Sequence, residues 1–123
     1  MKILLSNQSE KPIYLQIKEQ LEEQILSGEI VEDTVLPSIR KMATDLRVSV
    51  ITTTRAYKEL ELDGFITTVP GKGCIVLPPD NKILREQYLR RMEEGFMQAA
   101  GAAKKMQMPF EEAQEIFGTI WKM

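Results

Sequence analysis

The side chains best placed to do chemistry lie between Ser38 and Lys58. There Arg40, Lys41, Arg47, Arg55 and Lys58 accompany a single acid, Asp45. Small hydroxyls stand among them: Ser38, Ser49, Thr52 and Thr54. Cationic and hydroxyl groups around helix N-termini bind phosphate, and phosphate neutralisation dominates the holding of nucleic acid. A second cationic element is Gly71-Lys72-Gly73, one ammonium between two glycines. Catalysis has little to draw on. The chain has no histidine and one cysteine, Cys74, so Ser-His, Cys-His and paired-ligand zinc arrangements are absent. Gly71-Lys72-Gly73 lacks the spacing of a phosphate-binding P-loop. The pairs Glu22-Glu23 and Glu93-Glu94 read as solvated helix faces. No enzyme activity, metal or cofactor is expected.

These groups need helices and a hairpin to position them. Ile13, Ile17, Leu21 and Ile25 recur at helical spacing after Pro12, and Gly28 supplies a stop. This predicts a first helix over about 12–27, a scaffold with an acidic outer side. A connector over 29–36 ends in Leu36-Pro37-Ser38. Pro37 keeps Leu36 extended and Ser38 can cap a second helix over about 38–46. Its inward residues are Ile39, Met42, Ala43 and Leu46. Arg47-Val48-Ser49 makes a turn, and Ser49 caps a third helix over about 49–63. Thr53, Ala56, Tyr57 and Leu60 form its inner face; Val50, Ile51, Thr54, Arg55 and Lys58 form the opposite one. Gly64 closes that helix. Phe65 to Val69 and Cys74 to Leu77 read as two strands around the turn Pro70-Gly71-Lys72-Gly73. A two-stranded hairpin is not stable alone, so it leans on the helices as a wing. The arm from Met1 to Lys11 reads as extended, with Ile3, Leu4 and Leu5 able to pack on the body.

Beyond Pro78-Pro79 a second region begins. Asp80 is expected to cap a helix over about 80–106, carrying Leu84, Tyr88, Met92, Phe96, Ala99, Ala103 and Met106 on one stripe. Gly95 and Gly101 fall inside it, as weak points, bends or places of close contact. Phe110, Ala113, Ile116, Phe117, Ile120 and Trp121 make a last amphipathic helix, with Glu111 and Glu112 in its first turn. Two helices cannot enclose a core. Their stripes need the same pair from a second copy, or else fold back onto the first helix. The expected self-pairing residues are Leu84, Tyr88, Met92, Phe96, Ala99, Ala103, Phe117, Ile120 and Trp121. The architecture is therefore mainly α with a small β-hairpin: a winged helix-turn-helix over 1–79, then two C-terminal helices over 80–123 as a dimerisation tail.

A chain of 123 residues allows one small domain with an appendage, and 43% hydrophobic content is ordinary for a globular protein. The net charge of −2 counts mildly against nucleic acid, but the charge is polarised. The acids gather at Glu19 to Asp33 and at Glu111 to Glu115, away from the basic stretch. No apolar run approaches the roughly 20 residues of a membrane span. The N-terminus lacks a signal-peptide pattern, and a lone cysteine fits a reducing cytoplasm.

Residues 12–77 resemble the DNA-binding domain of the GntR family of bacterial transcription repressors. The resemblance rests on Pro12-Ile13-Tyr14 with Gln16 and Ile17, Gly28, Leu36-Pro37-Ser38 with Arg40 and Ala43, Val48-Ser49 with Thr52, Leu60, Gly64, and Gly71-Lys72-Gly73 with Val76. The short two-helix tail, together with Val48 to Thr53, Arg55-Ala56-Tyr57 and Leu60-Glu61, is similar to the YtrA subfamily. The resemblance implies that Arg40 contacts DNA, that Ser49 and Thr52 bind phosphate, and that Gly71, Lys72 and Gly73 enter the minor groove. Two departures stand out. Many family members have a guanine-reading arginine directly after the Val-Ser turn, where this chain has Val50. The usual Pro-Gly of the connector is Glu32-Asp33 here.

The expected function is sequence-specific binding of an operator in double-stranded DNA by a homodimer, as a repressor. The expected contact residues are Ser38, Arg40, Ser49, Val50, Ile51, Thr52, Thr54, Arg55, Gly71, Lys72 and Gly73. Val50 and Ile51 suit thymine methyl groups. Family resemblance implies control of the protein's own operon, often one for an ABC transporter. Two alternatives stay open: a winged helix that binds protein rather than DNA, and a small-molecule sensor acting through the tail, its effector unknown.

Overall fold

The second and third helices both begin where the sequence supplies a capping serine. The computed structural model describes residues 1–123, with α1 over Ile13–Leu26, α2 over Ile39–Leu46 and α3 over Val50–Asp63. The hairpin is β1 over Ile66–Val69 and β2 over Gly73–Val76, followed by α4 over Lys82–Lys105 and α5 over Phe110–Trp121. The Ser38 hydroxyl accepts the Lys41 N–H at 3.1 Å, and the Ser49 hydroxyl accepts that of Thr52 at 3.0 Å. These are N-caps, each satisfying one orphan donor of a helix start. Gly64 ends α3 in the left-handed region at φ 92°, with the Phe65 N–H returning to the Leu60 carbonyl at 2.9 Å. A β-carbon there would also meet the Leu84 backbone nitrogen at 2.7 Å, so both conformation and space demand glycine.

The chain divides into two compact units, Met1–Gln87 and Tyr88–Met123. In the first, α1 and α2 both pack on α3. The core joins Ile17, Leu21 and Ile25 of α1 with Met42 of α2, Ala56, Tyr57 and Leu60 of α3, and Phe65, Ile66 and Val76 of the hairpin. Leu84 completes it at 2% exposure. Spacing alone puts Leu84 on the self-pairing stripe; its burial here takes it out of reach of a partner. The unit thus extends past Pro78-Pro79 into the first turns of α4. The cap of α4 is also not the expected Asp80. Asn81 Oδ1 accepts the Leu84 N–H at 3.0 Å, while its amide donates to the carbonyls of Gly64 and Pro78. Only Asn81 has an amide to tie the helix start to the end of α3.

The wing is antiparallel, with Ile66 opposite Val76 and Val69 opposite Gly73. Its turn has Pro70 then Gly71 at φ 80°, closed by the Lys72 N–H on the Val69 carbonyl at 2.9 Å. That is the residue order of a type II turn. The connector adds a third edge: Val35 bridges Ile75, and the Leu36 N–H donates to the Cys74 carbonyl at 2.9 Å. Asp33, in place of the usual glycine, takes the left-handed conformation at φ 68° and donates its N–H to the Val76 carbonyl.

The arm is held by a row of glutamines on α1. Gln20 exchanges two hydrogen bonds with the Leu4 backbone, at 2.8 and 2.7 Å. Gln16 does the same with Ser6, and Gln24 donates to the Lys2 carbonyl. Four helical residues rise about 6 Å and two extended residues about 6.6 Å, so the side-chain amides keep step with the arm like a neighbouring strand. Ile3 and Leu5 pack on the core, whereas Leu4 points out, 70% exposed.

The second unit holds the rest of α4 and α5, joined through Gln107 at φ 56° and Pro109. Phe96 meets Phe117 edge-on with centroids 5.5 Å apart, and Phe117 lies 5.8 Å from Trp121. No residue from Tyr88 to Met123 is buried. A hollow of about 530 Å³ opens between the two helices, lined by Phe96, Ala99, Ala103, Phe110, Ala113 and Phe117 among others. Gly95 and Gly101 do not interrupt α4, and within the chain added β-carbons there would meet nothing within 4 Å.

Candidate nucleic-acid interface

The head of α3 is built from a capping hydroxyl and what it leaves free. The Ser49 hydroxyl accepts the Thr52 N–H and also donates to Thr52 Oγ1 at 2.8 Å. Its own hydrogen is therefore engaged, and the Thr52 hydroxyl hydrogen is the one left to offer. Thr53, fully buried, locks the same turn by donating to the Ser49 carbonyl at 3.1 Å. Thr53 thus faces inward, and Val50 and Ile51 are turned out, 44% and 83% exposed. Thr54 is half-buried beside them. Ile51, so exposed, takes no part in the core.

The surrounding cations fall into two groups. Lys41 is paired with Asp45 at 3.1 Å. Arg55 lies 3.7 Å over the Tyr14 ring and its Nε donates to Glu59 at 3.2 Å, so it is tied to the scaffold while still 60% exposed. Arg40, Lys58 and Lys72 are exposed and hold no ion pair. Ser38 is exposed at the start of α2, and Gly71, Lys72 and Gly73 are exposed at the wing tip. Of the expected contact residues with a charge, Arg55 is the one the fold has already committed to other partners.

Three ties hold α3 and the wing in place. The Tyr57 hydroxyl donates to the Pro37 carbonyl at 2.8 Å, joining α3 to the approach of α2. Burial, with Cys74 as the lesser cause, holds that phenol above its ordinary value of 10.0. The Thr68 N–H donates to the Glu61 carboxylate at 2.9 Å, joining β1 to α3. Lys18 of α1 reaches Asp63 at 2.9 Å, Glu59 at 3.4 Å and Glu22 at 3.6 Å. Burial pulls the Lys18 ammonium down, but Asp63 and then Glu22 and Glu59 outweigh it and hold its pKa above the usual lysine value. This hub also occupies three of the molecule's acids. No sequence pattern singles it out, because Lys18 and Asp63 are far apart in the chain.

Arg47 belongs to the basic stretch but not to the expected contacts. It is the C-cap of α2, left-handed at φ 58° and ψ 44°, and exposed. A left-handed conformation costs a residue with a β-carbon about 1–2 kcal/mol. The dipole at an exposed helix C-terminus returns about 0.3–1 kcal/mol to a cation. Strain exceeds return.

The self-pairing residues other than Leu84 lie in the second unit. Of these, Tyr88, Met92, Phe96, Phe117, Ile120 and Trp121 are between 37% and 77% exposed.

Residues 13–76 match the sequence pattern of the bacterial regulatory proteins of the gntR family. The HTH-type transcriptional repressor YtrA of Bacillus subtilis (strain 168) is 34% identical over 96 residues, spanning 78% of this chain and 74% of YtrA. The crystal structure of a transcriptional antiterminator from Listeria monocytogenes EGD-e matches with a TM-score of 0.71 at 26% identity, covering 98% of this chain and 90% of that one. AraR(DBD), in a crystal structure with operator ORX1, matches with a TM-score of 0.54 at 26% identity, covering 62% of this chain and 95% of that one.

Proposed function

This chain belongs to the gntR family of bacterial regulatory proteins, DNA-binding transcriptional regulators rather than enzymes, and on that premise we propose that it is a homodimeric repressor of an inverted-repeat operator. The observation that carries the DNA reading is that Val50 and Ile51 stand exposed at the head of α3 while Arg40, Lys58 and Lys72 are exposed and hold no ion pair. In the proposed complex α3 lies in a major groove. Thr52, Ser38 and Arg40 take backbone phosphates, Val50 and Ile51 touch thymine methyl groups, and Lys72 enters the flanking minor groove. Arg55 contributes only the donors that Glu59 and Tyr14 leave free. The second unit supports the dimer: it buries no residue of its own, so its apolar faces need a second copy. The family resemblance extends the proposal to control of the protein's own operon, of the kind that encodes an ABC transporter.

The rival is a winged helix that binds protein. The net charge of −2 and the apolar Val50-Ile51 pair favour it. Salt titration separates the two. Binding to duplex DNA should weaken by about 0.9 log units per log unit of salt for each phosphate contact, with several contacts per dimer. Affinity that is absent, or indifferent to salt, would support the rival.

A further inference from the structure

We propose that Arg47 is a phosphate anchor for α3, a DNA contact beyond those the α3 head and the wing provide. The inference rests on the DNA-binding reading above. The turn that Arg47 occupies does not need its side chain. The Arg47 N–H meets the Thr44 carbonyl at 3.2 Å and the Val48 N–H meets that of Ala43 at 3.0 Å, and glycine would make both bonds with less strain. The guanidinium makes no hydrogen bond or ion pair within the chain, unlike Lys41 and Arg55 to either side. It is thus a strained, exposed and unpaired cation, two residues ahead of the cap of α3.

The head of α3 itself is uncharged. Ser49 to Thr54 hold no cation, and Arg55 is drawn onto Tyr14 and Glu59. A phosphate that approaches the N-terminus of α3 therefore finds its nearest free cation along the chain at Arg47. Guanidinium is the group that grips phosphate in two-pronged fashion. The strain is then the mark of a side chain retained for a partner outside the fold.

The test compares the full-length wild type with Arg47→Gly and Arg47→Lys, on a mixed-sequence duplex and on one selected from random DNA. Arg47→Gly should raise the melting midpoint by about 4 °C, since it relieves the backbone. It should also weaken binding to both duplexes alike and reduce the salt slope by about 1.8, the loss of one phosphate contact from each of the two subunits. Arg47→Lys should recover the slope without the gain in melting. Unchanged affinity and slope in Arg47→Gly would overturn the inference, as would a fall in its melting midpoint. Weakening on the selected duplex alone would make Arg47 a base reader and overturn the anchor. Failure of the wild type to bind either duplex would overturn the DNA-binding reading itself.

Discussion

At the scale of the residue, the proposed complex concentrates specificity in Val50 and Ile51. A valine cannot make the two-pronged hydrogen bonds by which arginine reads guanine, and its methyl groups suit thymine. Val50→Arg should therefore move the preferred half-site toward guanine, as read by selection from random DNA. An unchanged selected sequence would show that Val50 does not face a base. Much at this scale was legible from local rules: Ser38, Ser49 and Gly64 all cap where their types and positions foretold. Residues chosen by tertiary contact were not. Asp80 and Asn81 are both good caps, and the carbonyls of the distant Gly64 and of Pro78 select the amide of Asn81. Leu84 fits an apolar stripe by spacing, but the first core claims it. Arg55 reads as a free cation until Tyr14 and Glu59 are placed beside it.

At the scale of the element, the angle of α3 is set by its ties to α1, to the wing and to the approach of α2. Lys18 is the strongest candidate among them, with three carboxylates within 3.6 Å and only 11% side-chain exposure. Lys18→Met leaves Glu22, Glu59 and Asp63 with no common counter-ion. The loss lies between the exposed and buried limits for ion pairs, about 1–3 kcal/mol, measurable by urea unfolding at neutral pH. The pH dependence has a definite sign. The fold raises the Lys18 pKa, so its contribution is complete below the ordinary lysine value of 10.5 and is lost as pH rises through the folded value. The wild type should show a larger alkaline loss than the variant, in which the raised Tyr57 phenol still contributes but Lys18 does not. Equal stability at neutral pH would mean that the hub is a bystander. The secondary elements themselves were legible from periodicity. The paired arm was not, because the step shared by Gln16, Gln20 and Gln24 with residues 6, 4 and 2 appears only when an extended chain lies along a helix.

At the scale of the whole molecule, two observations belong together. The first unit has a closed core, and the second buries no residue. The proposed dimer puts Phe96, Phe117 and Trp121 at its seam, so Phe96→Asp should abolish pairing and operator affinity together, as read by light scattering and DNA titration. Retention of full operator affinity by a monomeric variant would break the link between the tail and binding. The central claim is that two copies of α3 read one two-fold site. Selection of bound sequences from random duplex DNA tests it most directly. A two-fold reader should enrich an inverted repeat, its half-sites about one helical turn or 34 Å apart, rich in A·T where Val50 and Ile51 would sit. Enrichment of a single unpaired half-site, or of no sequence at all, would contradict it.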